Sequence, residues 1–177
     1  MTNSYNATSK FLHWSIFILV FVMILLGYFR EDISFKPLPL EVMSVHKLLG
    51  LLILALMLFR LFWMSTHPKP PSLPGTPLWQ RWSERVVHFL LYFFLIVMPL
   101  SGWLMSSAAG RPPHLFFDMR LPIAKNKELA EFFVTVHNTL AIVIIALISI
   151  HILAALYHHF IKKDEVLRRM LPYTQSR

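Results

Sequence analysis

Residues 132–161 read FFVTVHNTLAIVIIALISIHILAALYHHFI, a stretch that contains no aspartate, glutamate, lysine or arginine. An α-helix rises about 1.5 Å per residue, so about 20 apolar residues cross the hydrocarbon of a bilayer. This stretch is long enough to span a membrane with its last turns among the headgroups. Three further apolar runs, at 11–28, 45–64 and 86–106, predict an all-α bundle of four transmembrane helices.

The composition supports a single membrane domain covering residues 1–177. Hydrophobic residues make up 56% of the chain and charged residues only 15%, against about 25% charged in a typical soluble domain. The chain has no cysteine, which excludes thiolate metal sites, iron–sulfur clusters and covalently attached c-type haem. The net charge of +8 comes without a basic face carrying interleaved aromatics, so we exclude nucleic acid as a partner.

The connections between the runs predict the orientation in the membrane. The termini, the proline-rich connection 66–77 and the adjoining helix ends carry ten lysines and arginines against three acids. The other two connections and their helix ends carry seven against six. Because basic residues accumulate on the cytoplasmic side, we expect both termini in the cytoplasm. Pro99 interrupts the third run and is expected to kink it.

Four histidines lie within the apolar runs at two matched depths. His137 and His151 are 14 residues apart on the fourth run, which places them about 40° apart around the helix and about 21 Å apart along it. His46 lies at the depth of His137, and His13 at the depth of His151. His88 also lies at the second depth, and spacing alone does not choose two residues from these three.

Buried imidazoles have polar edges that hydrocarbon cannot satisfy, so their number needs a chemical reason. Histidine pairs at two depths suit two stacked b-type haems, because each iron takes one axial ligand from each face of a flat ring. The alternative is a proton or solute transporter without haem, in which histidines relay protons. That alternative predicts acids along a water path, yet the four runs contain no aspartate or glutamate.

The motifs, in this order, resemble the bacterial cytochrome b561 family over nearly the whole chain. They are Phe11-Leu12-His13-Trp14, Val45-His46-Lys47 through Gly50, Arg60, Pro70-Pro71, His88 with Pro99 and Gly102, Val136-His137-Asn138 with His151, His158-His159, and Leu167-Arg168-Arg169-Met170-Leu171-Pro172.

The resemblance implies two haem b groups in the bacterial inner membrane. His13 and His151, here the inner pair, would bind the iron on the cytoplasmic side. His46 and His137, the outer pair, would bind the iron on the periplasmic side, and His88 would bind neither. Family members pass electrons between the periplasmic side and the quinone pool. Some oxidise superoxide and reduce ubiquinone, and others serve as haem-bearing anchors or carriers for a partner dehydrogenase or periplasmic redox protein.

Two further residues are candidates for the substrate sites. His158 follows His151 by seven residues, about 10 Å further towards the cytoplasm on nearly the same face of a continuous helix. We expect it to bind and protonate quinone, near Arg81, although a haem propionate or a lipid headgroup is an alternative partner. Lys47, beside His46, is expected to steer an anion such as superoxide, together with Arg30 and Lys36.

Overall fold

The structure is a computed structural model that describes residues 4–28, 39–67, 69–114 and 118–172. Four long helices dominate it: α1 (Ala7–Tyr28), α2 (Pro39–Thr66), α3 (Leu78–Ala108) and α4 (Lys127–Tyr157). A π-helical turn, His158–Lys162, continues α4, and a short 3₁₀ turn, Arg168–Met170, follows it. Within these described ranges the only β pairing is an isolated bridge between His114 and Asp118.

All four helices are long and apolar enough to cross a membrane, which confirms the predicted all-α bundle. Each helix extends beyond its apolar run because polar and interfacial residues continue the same helical backbone. In α3, for example, the helix begins eight residues before the run, at Leu78. Pro99 lies inside α3, which continues through it as one helix. Large side chains such as Phe62, Phe89 and Ile142 are mostly exposed on the bundle surface, as lipid contact requires.

The core lies in the middle of the bundle, between the two depths of the histidines. Ile16 and Val20 of α1 pack against Ile53 and Met57 of α2, and side chains of α3 and α4 surround this cluster. Each helix packs most closely against its neighbours in the chain, and α4 packs mainly against α3. The apolar middle layer therefore separates two polar levels, one near each end of the bundle.

The two described ends of the chain meet at one end of the bundle, here called the terminal end. Trp14 Nε1 donates to the carbonyl oxygen of Met170 at 2.9 Å. The backbone N–H of Tyr5 donates to the carbonyl oxygen of Arg169 at 3.3 Å. Arg169 Nη1 donates to the carbonyl oxygen of Pro71 at 2.7 Å. The segment after α4 therefore ties α1 to the proline-rich connection.

At the opposite end, the chain after α3 folds back over the end of that helix. The side chain of Ser107, almost fully buried, accepts a hydrogen bond from the backbone N–H of Leu121 at 3.3 Å. Trp103 Nε1 donates to the carbonyl oxygen of Met119 at 2.7 Å. Asn126 then caps α4, since its Oδ1 accepts from the backbone N–H of Leu129 at 3.0 Å. These contacts form a cover at this end of the bundle.

Candidate functional site

The fold brings histidines together at the two predicted depths. The rings of His13 on α1 and His151 on α4 have centroids 6.1 Å apart. Those of His46 on α2 and His137 on α4 are 6.4 Å apart. Helix α4 therefore supplies one histidine to each pair, and a different helix supplies each partner.

The outer pair has a hydrogen bond that defines the protonation of one ring. Ser101 is 3% exposed, and its Oγ donates its single proton to the carbonyl oxygen of Met98 at 2.7 Å. It also lies 3.0 Å from His137 Nδ1, so we infer that Nδ1 carries the proton and donates to the serine oxygen. This tautomer leaves the lone pair on Nε2 of His137, the atom that a metal ion would bind.

Glycines make room around the outer pair. A Cβ on Gly102 would lie 3.0 Å from Cε1 of the His137 ring, closer than such atoms normally approach. A Cβ on Gly27 would lie 3.8 Å from Cε1 of His46, an ordinary contact. Gly50, one turn after His46, faces Met23 of α1 instead. The close approach of α3 to the imidazole of α4 therefore depends on Gly102.

The inner level contains three histidine rings. The centroid of His88 lies 5.3 Å from that of His151, closer than the centroid of His13 does. All three side chains are largely withdrawn from the surface. The coordinates therefore keep His13, His88 and His151 together and, like the sequence spacing, do not select two of them.

Lys47 lies one residue after His46 and connects two elements. Its Nζ donates to the carbonyl oxygen of Arg111 at 2.8 Å, which joins α2 to the cover after α3. The ammonium group is thus held at the end of the bundle that carries the outer pair. Arg30 and Lys36, expected to act with it, lie outside the described residues.

His158 lies at the point where α4 changes to a π-helical turn. Lys163, with a left-handed φ of 54°, then reverses the chain. The reversal brings Asp164 Oδ2 to 2.5 Å from His158 Nδ1. Both residues line an open cleft of about 120 Å³, together with Leu73, Pro74, Gly75, Thr76, Pro77, Gln80 and Lys162. Arg81 follows Gln80 on α3 and is not among the residues lining this cleft.

Comparison with known proteins identifies the family. A model of prokaryotic cytochrome b561 matches residues 4–173. The chain belongs to the prokaryotic cytochrome b561 family. It is 33% identical over 175 residues to "Cytochrome b561 homolog 2" of Escherichia coli strain K12, a match that covers 97% of this chain and 93% of that protein.

Two other relatives match over similar lengths. "Cytochrome b561 homolog 1" of the same strain is 30% identical over 175 residues, covering 96% of this chain and 98% of the relative. "Probable superoxide oxidase CybB" of Yersinia pestis is 29% identical over 177 residues, covering 97% and 98%. Family membership makes the chain a bacterial membrane electron carrier and implies a b-type haem. It separates the chain from the haem-free transporter considered above.

The histidine pairs fit such a group. Imidazole–metal bonds are about 2 Å long, so two imidazoles on opposite faces of one metal ion have ring centres about 6 Å apart. Both measured separations are close to this value. The Nδ1–H tautomer of His137 leaves the required nitrogen available, and the absence of cysteine agrees with non-covalent attachment.

Three contacts of the candidate sites were not predicted from the sequence. Ser101 lies two residues after Pro99 in an apolar run, and the sequence does not indicate which group its hydroxyl contacts. In the structure that group is Nδ1 of His137. Asp164 reaches His158 through a change of helix type. Gly102 was noted as part of a motif, but its contact with a histidine ring needed the packing of α3 against α4.

We predict that Gly102→Ala disturbs the outer pair while Gly27→Ala does not. The added methyl group of the first variant would meet the His137 ring at 3.0 Å, whereas that of the second lies at ordinary contact distance from His46. Electron paramagnetic resonance of the purified cytochrome should show an altered low-spin haem signal, or loss of one haem, for Gly102→Ala alone. Equal spectra for both variants would contradict this account.

Proposed function

We propose that the chain binds two haem b groups and carries electrons between the periplasmic side and ubiquinone in the membrane. The observation behind this proposal is that α4 supplies one histidine to each of two pairs, with centroid separations of 6.1 and 6.4 Å. The outer pair would hold one iron and the inner pair the other. The bound haem supplies one-electron chemistry that protein side chains lack.

The proposed donor is superoxide, a suggestion supported by the relative named a probable superoxide oxidase. Two superoxide anions release two electrons and two molecules of oxygen. One ubiquinone takes up these electrons with two protons to give ubiquinol. On the donor side, the ammonium group of Lys47 would attract the anion towards the outer pair, because a local positive charge raises the encounter rate of an anion.

The proposed quinone site is the cleft beside His158. Asp164 accepts a hydrogen bond from Nδ1–H, which orients the imidazole, and in the protonated ring Nε2–H would donate to a quinone carbonyl. Lys162 also lines the cleft, and its Nζ donates to Gln80 Oε1 at 2.9 Å. His158 would deliver a proton when the quinone is reduced, which is general acid chemistry suited to imidazole.

We propose that both termini lie in the cytoplasm of the bacterium and that the chain spans its inner membrane. The excess of basic residues at the terminal end supports this orientation. The proposed quinone cleft would then face the cytoplasmic side of the bilayer. A haem-bearing anchor for a periplasmic dehydrogenase is the alternative function, and it predicts a stable partner that co-purifies through the 107–131 connection.

The purified protein should contain two haems per chain with the visible spectrum of low-spin bis-histidine iron. His46→Ala or His137→Ala should remove one haem, and His13→Ala or His151→Ala should remove the other, because each iron needs both axial ligands to stay low-spin. The pyridine haemochrome assay measures the number of haems in each variant, and visible spectra show whether the remaining iron is low-spin.

His88→Ala is the matched control for the inner pair, since its ring lies 5.3 Å from that of His151. This variant should retain both low-spin signals. If it loses the inner signal while His13→Ala keeps it, the ligand assignment on α1 is wrong. A wild-type protein with a single haem would contradict the two-site proposal as a whole.

Stopped-flow mixing with superoxide should give fast haem reduction, followed by ubiquinone reduction. Lys47→Gln removes the charge beside the outer pair and should slow the first phase at least threefold at low ionic strength, with a weaker dependence on salt. Lys47→Arg keeps the charge and should react at nearly the wild-type rate. Slow reduction of the wild-type protein, unaffected by salt, would favour the carrier function with another donor.

His158→Phe should leave both haems and their reduction by superoxide intact but slow ubiquinone reduction at least tenfold, or about 1.4 kcal/mol of barrier. The phenyl ring keeps most of the volume and removes both nitrogens. His159→Phe is the control, because His159 is adjacent to His158 in the sequence but does not line the cleft. Unchanged quinone kinetics in His158→Phe with full haem content would exclude His158 from the reaction.

A further inference from the structure

Arg60 is a buried arginine inside a membrane-spanning helix. It lies near the end of α2 and is 8% exposed. Its Nε donates to the hydroxyl of Tyr92 at 2.8 Å, and its Nη1 donates to the carbonyl oxygen of Ser9 at 3.3 Å. Tyr92 in turn donates its proton to the sulfur of Met64. The guanidinium group is thus held in a fixed position between α1 and α3.

The charge of Arg60 has no carboxylate partner among the residues that the structure describes. None of the ion pairs in those ranges includes it. A guanidinium group has five N–H donors, and the hydrogen bonds of Arg60 to Tyr92 and Ser9 use two of them. A buried cation without an anion costs several kcal/mol. A buried arginine held by two hydrogen bonds in an apolar helix therefore indicates an anionic partner that is not part of the protein chain.

The position of Arg60 indicates where this anion lies. Its contact on α1 is the carbonyl of Ser9, which precedes His13 by four residues and so lies about one helical turn, about 6 Å, nearer the terminal end. Its contact on α3 is the hydroxyl of Tyr92, which follows His88 by four residues. The cation is thus next to the inner histidines, on the side that faces the end of the bundle.

We propose that Arg60 binds a propionate of the haem held by the inner pair. The inference rests on the proposed function, because it takes the inner pair as a haem site. A haem b carries carboxylates at one edge of its ring, and guanidinium binds carboxylate through two parallel hydrogen bonds. The free donors of Arg60 then complete their hydrogen bonding, and the arginine fixes which edge of the ring faces the terminal end.

A lipid phosphate or a quinone fits the surroundings of the Arg60 guanidinium less well than a haem propionate does. Ser9, which Arg60 contacts, is itself 6% exposed, so the guanidinium lies within the packed helices and away from the headgroup surface. The proposed quinone cleft is lined by residues 73–77 and by residues after α4, and Arg60 is not among them. By contrast, its contacts on α1 and α3, Ser9 and Tyr92, are each four residues from an inner histidine.

The test compares Arg60→Gln with wild-type protein by redox titration and by redox-difference infrared spectra, using haem labelled with ¹³C at its propionate carboxyls. The positive charge favours the reduced iron, so its removal should lower the reduced-to-oxidised ratio of one haem at least threefold at a fixed potential. The ratio for the other haem should not change. A ¹³C-sensitive carboxylate band should also shift, because the propionate loses its hydrogen bonds.

Three variants serve as controls. Arg85→Gln removes an exposed arginine from the same end of the bundle, where it lies over the ring of Trp82, and should change neither readout. Tyr92→Phe removes only the hydroxyl contact and should leave the redox ratio unchanged, although it lowers stability. Arg60→Lys keeps the charge but not the planar pair of donors, so it should shift the labelled band more than the redox ratio.

Unchanged labelled bands in Arg60→Gln, at any haem content, overturn the propionate assignment. If that variant does not fold, an unchanged band in Arg60→Lys has the same consequence. Equal redox shifts in Arg60→Gln and Tyr92→Phe would mean that Arg60 serves only to link α1 to α3. That result would also overturn the propionate assignment. A wild-type haem content below two contradicts the proposed function instead, so the two failures are distinguishable.

Discussion

Hydrocarbon offers no hydrogen-bond partners, so every imidazole inside a bilayer must find one within the protein or on a bound group. In this bundle α4 carries two such imidazoles 14 residues apart, and each faces a histidine on a different helix. These two partners are His13 on α1 and His46 on α2. The apolar cluster around Met57 fills the layer between the two levels.

Much of this arrangement was predictable from the sequence because it depends on two simple periods. Apolar length gave the four spans, and the rise and rotation of a helix gave the matched depths of the histidines. The remaining parts depend on local backbone geometry. The contact of Asp164 with His158 needs a π-helical turn and a left-handed backbone at Lys163. A hydropathy pattern predicts neither. The role of Ser101 needs the packing of α3 against α4, which periodicity leaves open.

The two levels differ in their charged surroundings. The groups that contact His137 of the outer pair are neutral, namely the hydroxyl of Ser101 and the backbone of Gly102. The charged group of Lys47 instead donates to the carbonyl oxygen of Arg111. The inner level contains three histidines, with the buried guanidinium of Arg60 about one helical turn away. A nearby buried cation stabilises added negative charge. Under the proposed function, this asymmetry makes the inner site the easier one to reduce, which favours electron flow from the outer level inwards.

The hydrogen bond between Trp14 and the carbonyl of Met170 spans 156 positions in the sequence. It joins the beginning of α1 to the segment after α4, so it forms only after all four helices have been synthesised. Both histidine pairs share this property, since each includes a residue of α4. The first three helices therefore enter the bilayer without either pair complete, and assembly of the bundle ends with the arrival of α4. Because contacts of such long range close large loops, they are entropically costly to form and slow the folding of a chain.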